Sequence, residues 1–232
     1  MNNRLDTIIE ASGFRRLRLK GWDKYFDVFM RAMAFPFVYL LSYTPITANL
    51  VSLLGIFVIF ASAYFFATSQ YLIGFLFLFF AEVVDYMDGT IARIRKEVNF
   101  EMGSFLGRIY HIVGFGLVLV GALIGLGQLT LALIFGLTYF TRIYLMELRN
   151  SLLGKSHADL QKVKKEDKGF FHKFVVFPVS DGEVILAILL IAVLFNILHQ
   201  VMVLYTIHSI LLVIVSFVVA WRNIIKFQKS SL

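Results

Sequence analysis

Six apolar runs, at about 47–68, 71–93, 103–126, 129–150, 182–198 and 201–222, constrain this 232-residue chain more than any other feature. A lipid hydrocarbon core about 30 Å thick needs roughly 20 residues of helix to cross it. Backbone polar groups inside that core must also be paired within the protein. Runs of this length meet both conditions as helices. The chain is 59% hydrophobic and 16% charged, against roughly half and a quarter in soluble domains. The expected fold is an all-α polytopic membrane protein. A six-transmembrane-helix bundle covers residues 46–232, with a basic cytoplasmic loop at 154–181, and follows an N-terminal region at 1–45. The chain has no cysteine, which excludes disulfides, a thiolate nucleophile and cysteine-based metal sites.

The connections near 69–70, 126–128 and 199–200 carry no Lys or Arg, and every basic cluster falls on the opposite side. Arg15, Arg16, Arg18, Lys20 and Lys24 precede the first run, and Arg95 and Lys96 follow the second. Lys155, Lys162, Lys164, Lys165, Lys168 and Lys173 separate the fourth from the fifth; Arg222, Lys226 and Lys229 follow the sixth. By the positive-inside rule both termini are cytoplasmic, as is the charged end of the second run. The expected location is the cell (inner or plasma) membrane. The net charge of +7 then serves orientation and contact with anionic headgroups, and nucleic acid is not an expected partner. Residues 1–27 are polar and mixed in charge, so no signal peptide is expected there. Residues 22–43 carry Asp23, Lys24, Asp27 and Arg31 and are interrupted by Pro36. They read as an interfacial or re-entrant amphipathic helix with Trp22, Tyr25 and Phe26 at headgroup level. A seventh span is the alternative, and it would break the charge pattern.

The second run ends Asp85-Tyr86-Met87-Asp88-Gly89-Thr90-Ile91-Ala92-Arg93. Ionisable residues in such a segment are expensive and point to function by default. Asp85 and Asp88 lie three apart, about 60° around a helix, so both can reach one cation. Gly89 removes a side chain beside them and lets a phosphate-bearing ligand approach the backbone. The third run opens with Gly103, Gly107 and His111, which recur every four residues and stack on one helical face. If the two helices pack antiparallel, that face looks at the two aspartates.

These residues resemble the CDP-alcohol phosphotransferases (CDP-alcohol phosphatidyltransferases), whose signature is D-x-x-D-G-x-x-A-R followed by G-x-x-x-D-x-x-x-D. Asp85, Asp88, Gly89, Ala92 and Arg93 match the first half at every fixed position, and nine residues then lead to Gly103. Upstream, Ile46-Thr47-Ala48-Asn49-Leu50-Val51-Ser52-Leu53-Leu54-Gly55 is similar to the family's entry to its first span, with Ala48 in place of proline and Ser52 in place of threonine. The family's third and fourth aspartates fall on Gly107 and His111. The resemblance implies a metal-dependent transfer of a phosphatidyl group from a CDP-linked donor, CDP-diacylglycerol above all, to an acceptor hydroxyl, with release of CMP. It places Asp85 and Asp88 on Mg²⁺ or Mn²⁺. It puts Thr47, Asn49, Ser52, Gly89, Ala92, Arg93 and Gly103 on the donor. His111 stands where the family's base would be, and imidazole is a competent general base near neutral pH. The missing carboxylate at Gly107 is harder to replace, with Glu82 and Glu101 as the nearby substitutes.

Several readings stay open at this level. His111 is either the base or a satisfied core histidine. Arg142 binds an acceptor phosphate, or snorkels to headgroups or pairs with Glu147. Gly121 and Gly125 suit a close helix contact or a homodimer face. His208 reads as a packed polar residue, Asp181 and Glu183 as solvent-facing, and Lys162–Lys168 as a solvated face. The Gly107 departure keeps a second function class in view, a pseudoenzyme that retains the nucleotide and lipid pocket for binding or assembly. A transporter would spread its charges along a path across the bilayer, and here they cluster at one end.

Overall fold

The computed structural model describes residues 2–12, 22–96, 100–152 and 182–230. Regular structure among these residues is helical throughout. The chain divides into two compact units, Met1–Gly121 and Ala122–Leu232. The first contains α1 (Asn2–Ala11), α2 (Trp22–Leu41), α3 (Ala48–Ala67), α4 (Tyr71–Arg95) and α5 (Phe100–Arg108). A π-helical segment, Ile109–Gly114, joins α5 to α6 (Phe115–Gly125), whose last turn belongs to the second unit. That unit also contains α7 (Leu129–Leu152), α8 (Gly182–Leu194) and α9 (Leu198–Ser230).

By length and composition, three stretches are long and apolar enough to cross a membrane: Ala48–Ala67, Phe105–Gly125 and Leu198–Val219. Leu129–Leu145 and Ile185–Leu194 are apolar but shorter. At 25 residues α4 has the length, but Glu82, Asp85 and Asp88 lower its apolar character. The expected basic loop at 154–181, with Asp181 and the Lys162–Lys168 run, lies outside the described residues, as do the side chains of Glu101, Glu147 and Glu183.

Two expectations about the N-terminal region change. Pro36 does not interrupt its segment, because α2 runs unbroken from Trp22 to Leu41. Pro36 lies on the exposed side of α2, and a single missing backbone donor there is a loss a long helix can absorb. The polar stretch before α2 also contains a helix, α1, which packs against α2 and α4 and buries Ile8 completely. Arginines satisfy the orphan carbonyls at the ends of these two helices. Arg93 Nε donates to Ala11 O at 2.6 Å, and Arg31 Nη1 donates to Ser12 O. Arg95 Nη2 donates to Leu41 O at 3.2 Å and to Thr44 O. Cations at helix carboxyl ends also complement the macrodipole.

The core of the first unit is the α3–α4 pair. Thr47 starts α3 as its N-cap, with Oγ1 accepting from Leu50 N–H at 3.4 Å. The helix then buries Val51, Gly55, Ile59, Ser62 and Phe66. The return turn places Ser69 at φ 62°. Buried Ser62 donates to Gly74 O at 2.7 Å, which ties the two helices together close to that turn. Glycines permit the tightest approaches. A Cβ on Gly121 would lie 2.5 Å from Ala63 O, and one on Gly114 would lie 2.7 Å from Ile59. The close-contact reading of Gly121 is therefore realised within the first unit, against the α3 backbone. In the second unit α7 packs on α9, joined by a Thr138–Ser209 hydroxyl contact of 2.9 Å. The outward faces carry large apolar side chains, including Phe57 and Tyr64 on α3 and Leu133 and Leu137 on α7, a surface suited to lipid rather than water.

These contacts predict that Gly121→Val destabilises the protein by about 1–3 kcal/mol through overpacking, read as a lower Tm in detergent. Gly103→Ala is the control, since a Cβ there meets nothing within 4 Å. Its Tm should hold or rise.

Candidate active site

One cleft in the first unit is lined by Ser52 and Gly55 of α3, Val84, Asp85 and Asp88 of α4, Leu106 and Gly107 of α5, and Tyr110 of the π segment. The three-residue spacing of the aspartates puts both into it. Ser52 Oγ donates to Asp88 Oδ2 at 2.5 Å and lies 3.2 Å from Ala48 O, one turn earlier. His111 Nε2 stands 3.5 Å from Asp85 Oδ1, with half of the His111 side chain exposed and Asp85 27% exposed. The imidazole lies parallel to Phe115 and edge-on to Tyr110.

The expected stack of Gly103, Gly107 and His111 is modified by the π segment. It begins at Ile109, between the last two of these positions, and widens that turn by one residue. Gly107 lines the cleft, His111 approaches Asp85, and Gly103 is exposed in open space. A Cβ on Gly107 would also meet nothing within 4 Å. The cleft therefore has an unfilled wall at Gly107.

Glu82, considered as a replacement carboxylate, is buried, and Tyr110 Oη donates to its Oε1 at 3.0 Å. It is not part of the cleft lining. Among the described residues no group of three or more His, Asp or Glu side chains is placed to hold a metal ion.

The other expected donor residues do not line the cleft. Thr47 caps α3 and Asn49 sits half-buried in its first turn. Gly89 and Ala92 are half-buried on α4, and a Cβ on Gly89 would lie 3.4 Å from Arg93 Nη1. Arg93 is directed to Ala11 O and, at 3.1 Å, to Thr90 Oγ1. Arg142 is buried on α7 of the second unit, at 7% exposure.

A model of the CDP-alcohol phosphatidyltransferase family matches residues 45–221. The chain belongs to that family. No curated protein is similar enough to the chain to count as a match. The family is one of membrane transferases that carry out phosphatidyl transfer in lipid biosynthesis, generally with a divalent metal. The family region opens just before α3, so α1 and α2 lie ahead of it.

Sequence reasoning assigned Ser52 to the donor but missed its bond to Asp88, and it missed Tyr110 altogether. The available signal was Glu82, because a carboxylate in an apolar helix needs a donor from a neighbouring one. Tyr110→Phe removes a donor from that buried carboxylate and should cost about 1–3 kcal/mol in denaturant or thermal unfolding. Adding Glu82→Leu should recover much of the loss, and a double-mutant cycle with no coupling energy would count against the pair.

Proposed function

We propose that the protein moves a phosphatidyl group from a CDP-linked lipid, CDP-diacylglycerol first among candidates, to an acceptor hydroxyl, releasing CMP. The observation that carries this is the convergence of Asp85, Asp88 and Ser52 on one cleft within a chain of this family. The acceptor oxygen forms a bond to the donor's β-phosphorus, the bond from that phosphorus to the oxygen of CMP breaks, and the hydroxyl proton passes to His111.

The residues present suit a single hard cation. Mg²⁺ is commonly held by one or two carboxylates with substrate phosphates completing its shell, and Asp85 and Asp88 provide that pair on one helix face. Held there, Mg²⁺ or Mn²⁺ would neutralise charge on the donor pyrophosphate. Ser52 orients Asp88 through its short hydrogen bond. His111, beside Asp85 and partly exposed, is placed to take the proton. The family resemblance assigns Thr47, Asn49, Gly89, Ala92 and Gly103 to the donor; they flank the cleft on the helices that form it without lining it.

We read the chain as six spans, with the α4 carboxyl end and both termini cytoplasmic. On this reading α2 lies at the interface, where a lipid donor can enter sideways.

Purified protein in nanodiscs, given CDP-diacylglycerol, Mg²⁺ or Mn²⁺ and a panel of alcohols, should release CMP. Asp88→Ala should abolish the release. His111→Ala should slow it by about 10²–10⁴-fold, the usual contribution of a general base, with His111→Asp retaining more activity. The bare wall at Gly107 supports a second reading, a pocket kept for binding. An inactive wild type that Gly107→Asp converts into an active enzyme would establish that reading.

A further inference from the structure

The carboxyl end of α1 is gripped by two arginines from different helices, and both lead to the same residue. Arg31 of α2 donates through Nη1 to Ser12 O, and its Nε donates to both oxygens of Asp27 at 3.0 Å. With that fork fixed, its guanidinium stands over the Tyr86 ring, 5.5 Å from the centroid. Arg93 of α4 donates through Nε to Ala11 O at 2.6 Å and through Nη2 to Thr90 Oγ1 at 3.1 Å. Thr90 Oγ1 in turn donates to Tyr86 O at 2.9 Å. The contacts form a closed circuit: α1 end, Arg93, Thr90, Tyr86, Arg31 and back to α1.

Tyr86 lies one residue after Asp85 and two before Asp88. At 100° per residue it points to the side of α4 away from the face the aspartates share. A rigid support behind the helix fixes where the carboxylates stand in front. The Arg31 side chain is only 22% exposed, so its cation–π contact is stronger than one made in water.

We infer that Arg31 is a positioning residue for the transfer reaction: with Arg93 it locks the end of α1 onto Tyr86 and so fixes the Asp85–Asp88 turn. This rests on the transferase reading for its kinetic consequence and extends it to helices ahead of the family region. Displacing reacting groups by about 1 Å can cost up to 10²-fold in rate. Arg31→Ala and Tyr86→Leu should therefore each lower kcat for CMP release by roughly 10- to 100-fold, with the KM for the donor moving less than about twofold. Arg31→Lys should recover part of the rate, and Arg31→Ala combined with Tyr86→Leu should be no worse than either alone.

A second readout does not need turnover. The chain has no native cysteine, so spin labels can be placed at Glu10→Cys on α1 and at Phe57→Cys on the exposed face of α3. The full-length protein in nanodiscs should give a narrow distance distribution that broadens in Arg31→Ala and in Arg93→Ala. An unchanged distribution in both variants overturns the proposal. Unchanged kcat, or equal changes in kcat and KM, overturns it as well. A wild type without CMP release refutes the transferase reading instead, and the lock is then decided by the distance distributions alone.

Discussion

The cost of placing carboxylates on an apolar helix governs this structure. Within seven residues α4 carries Glu82, Asp85 and Asp88, and a buried charge or unpaired polar group costs several kcal/mol. Each has a distinct answer: Tyr110 donates to Glu82, Ser52 donates to Asp88, and His111 stands beside Asp85. These partners come from α3 and the π segment, so the carboxylates of α4 tie it to both. The glycine-mediated approaches at Gly55, Gly114 and Gly121 bring those helices close enough to serve.

The three carboxylates differ in access. Glu82 is sealed by Tyr110 and holds helices together. Asp85 and Asp88 line the cleft, and both keep partial exposure. Tyr110 belongs to both sets, with its hydroxyl on Glu82 and its ring on the cleft wall. The π turn that carries it also carries His111, and one widened turn directs consecutive side chains to different carboxylates. Extra residues of this kind in a helix recur at functional sites.

At the other end of α4, two arginines serve helices that precede the family region. Arg93 closes the end of α1, and Arg95 closes the end of α2. These arginines do architectural work on the α4 turns beyond Asp85 and Asp88, which open into the cleft. Gly107 is bare by contrast: it stands at the cleft wall, and a side chain there would enter open space.

Much of this was legible in the sequence. Long apolar runs dictate helices because lipid offers the backbone no other partner. The spacing of Asp85 and Asp88 dictates a shared face because 3.6 residues make a turn. Thr47 before an apolar run marks a helix start. What the sequence could not decide depends on distances between segments remote along the chain. The Ser52–Asp88 bond spans 36 residues and the Arg93–Ala11 contact spans 82, and neither follows from local periodicity. Helix α1 is too short to be stable alone and exists through docking on α4. The π turn is a register change that four-residue spacing does not reveal. Sequence determined the helical character of the chain and the shared face of Asp85 and Asp88, because both follow from local composition and spacing; tertiary packing decided which carboxylate is sealed, which is open, and what holds them in place, because those depend on contacts between remote segments.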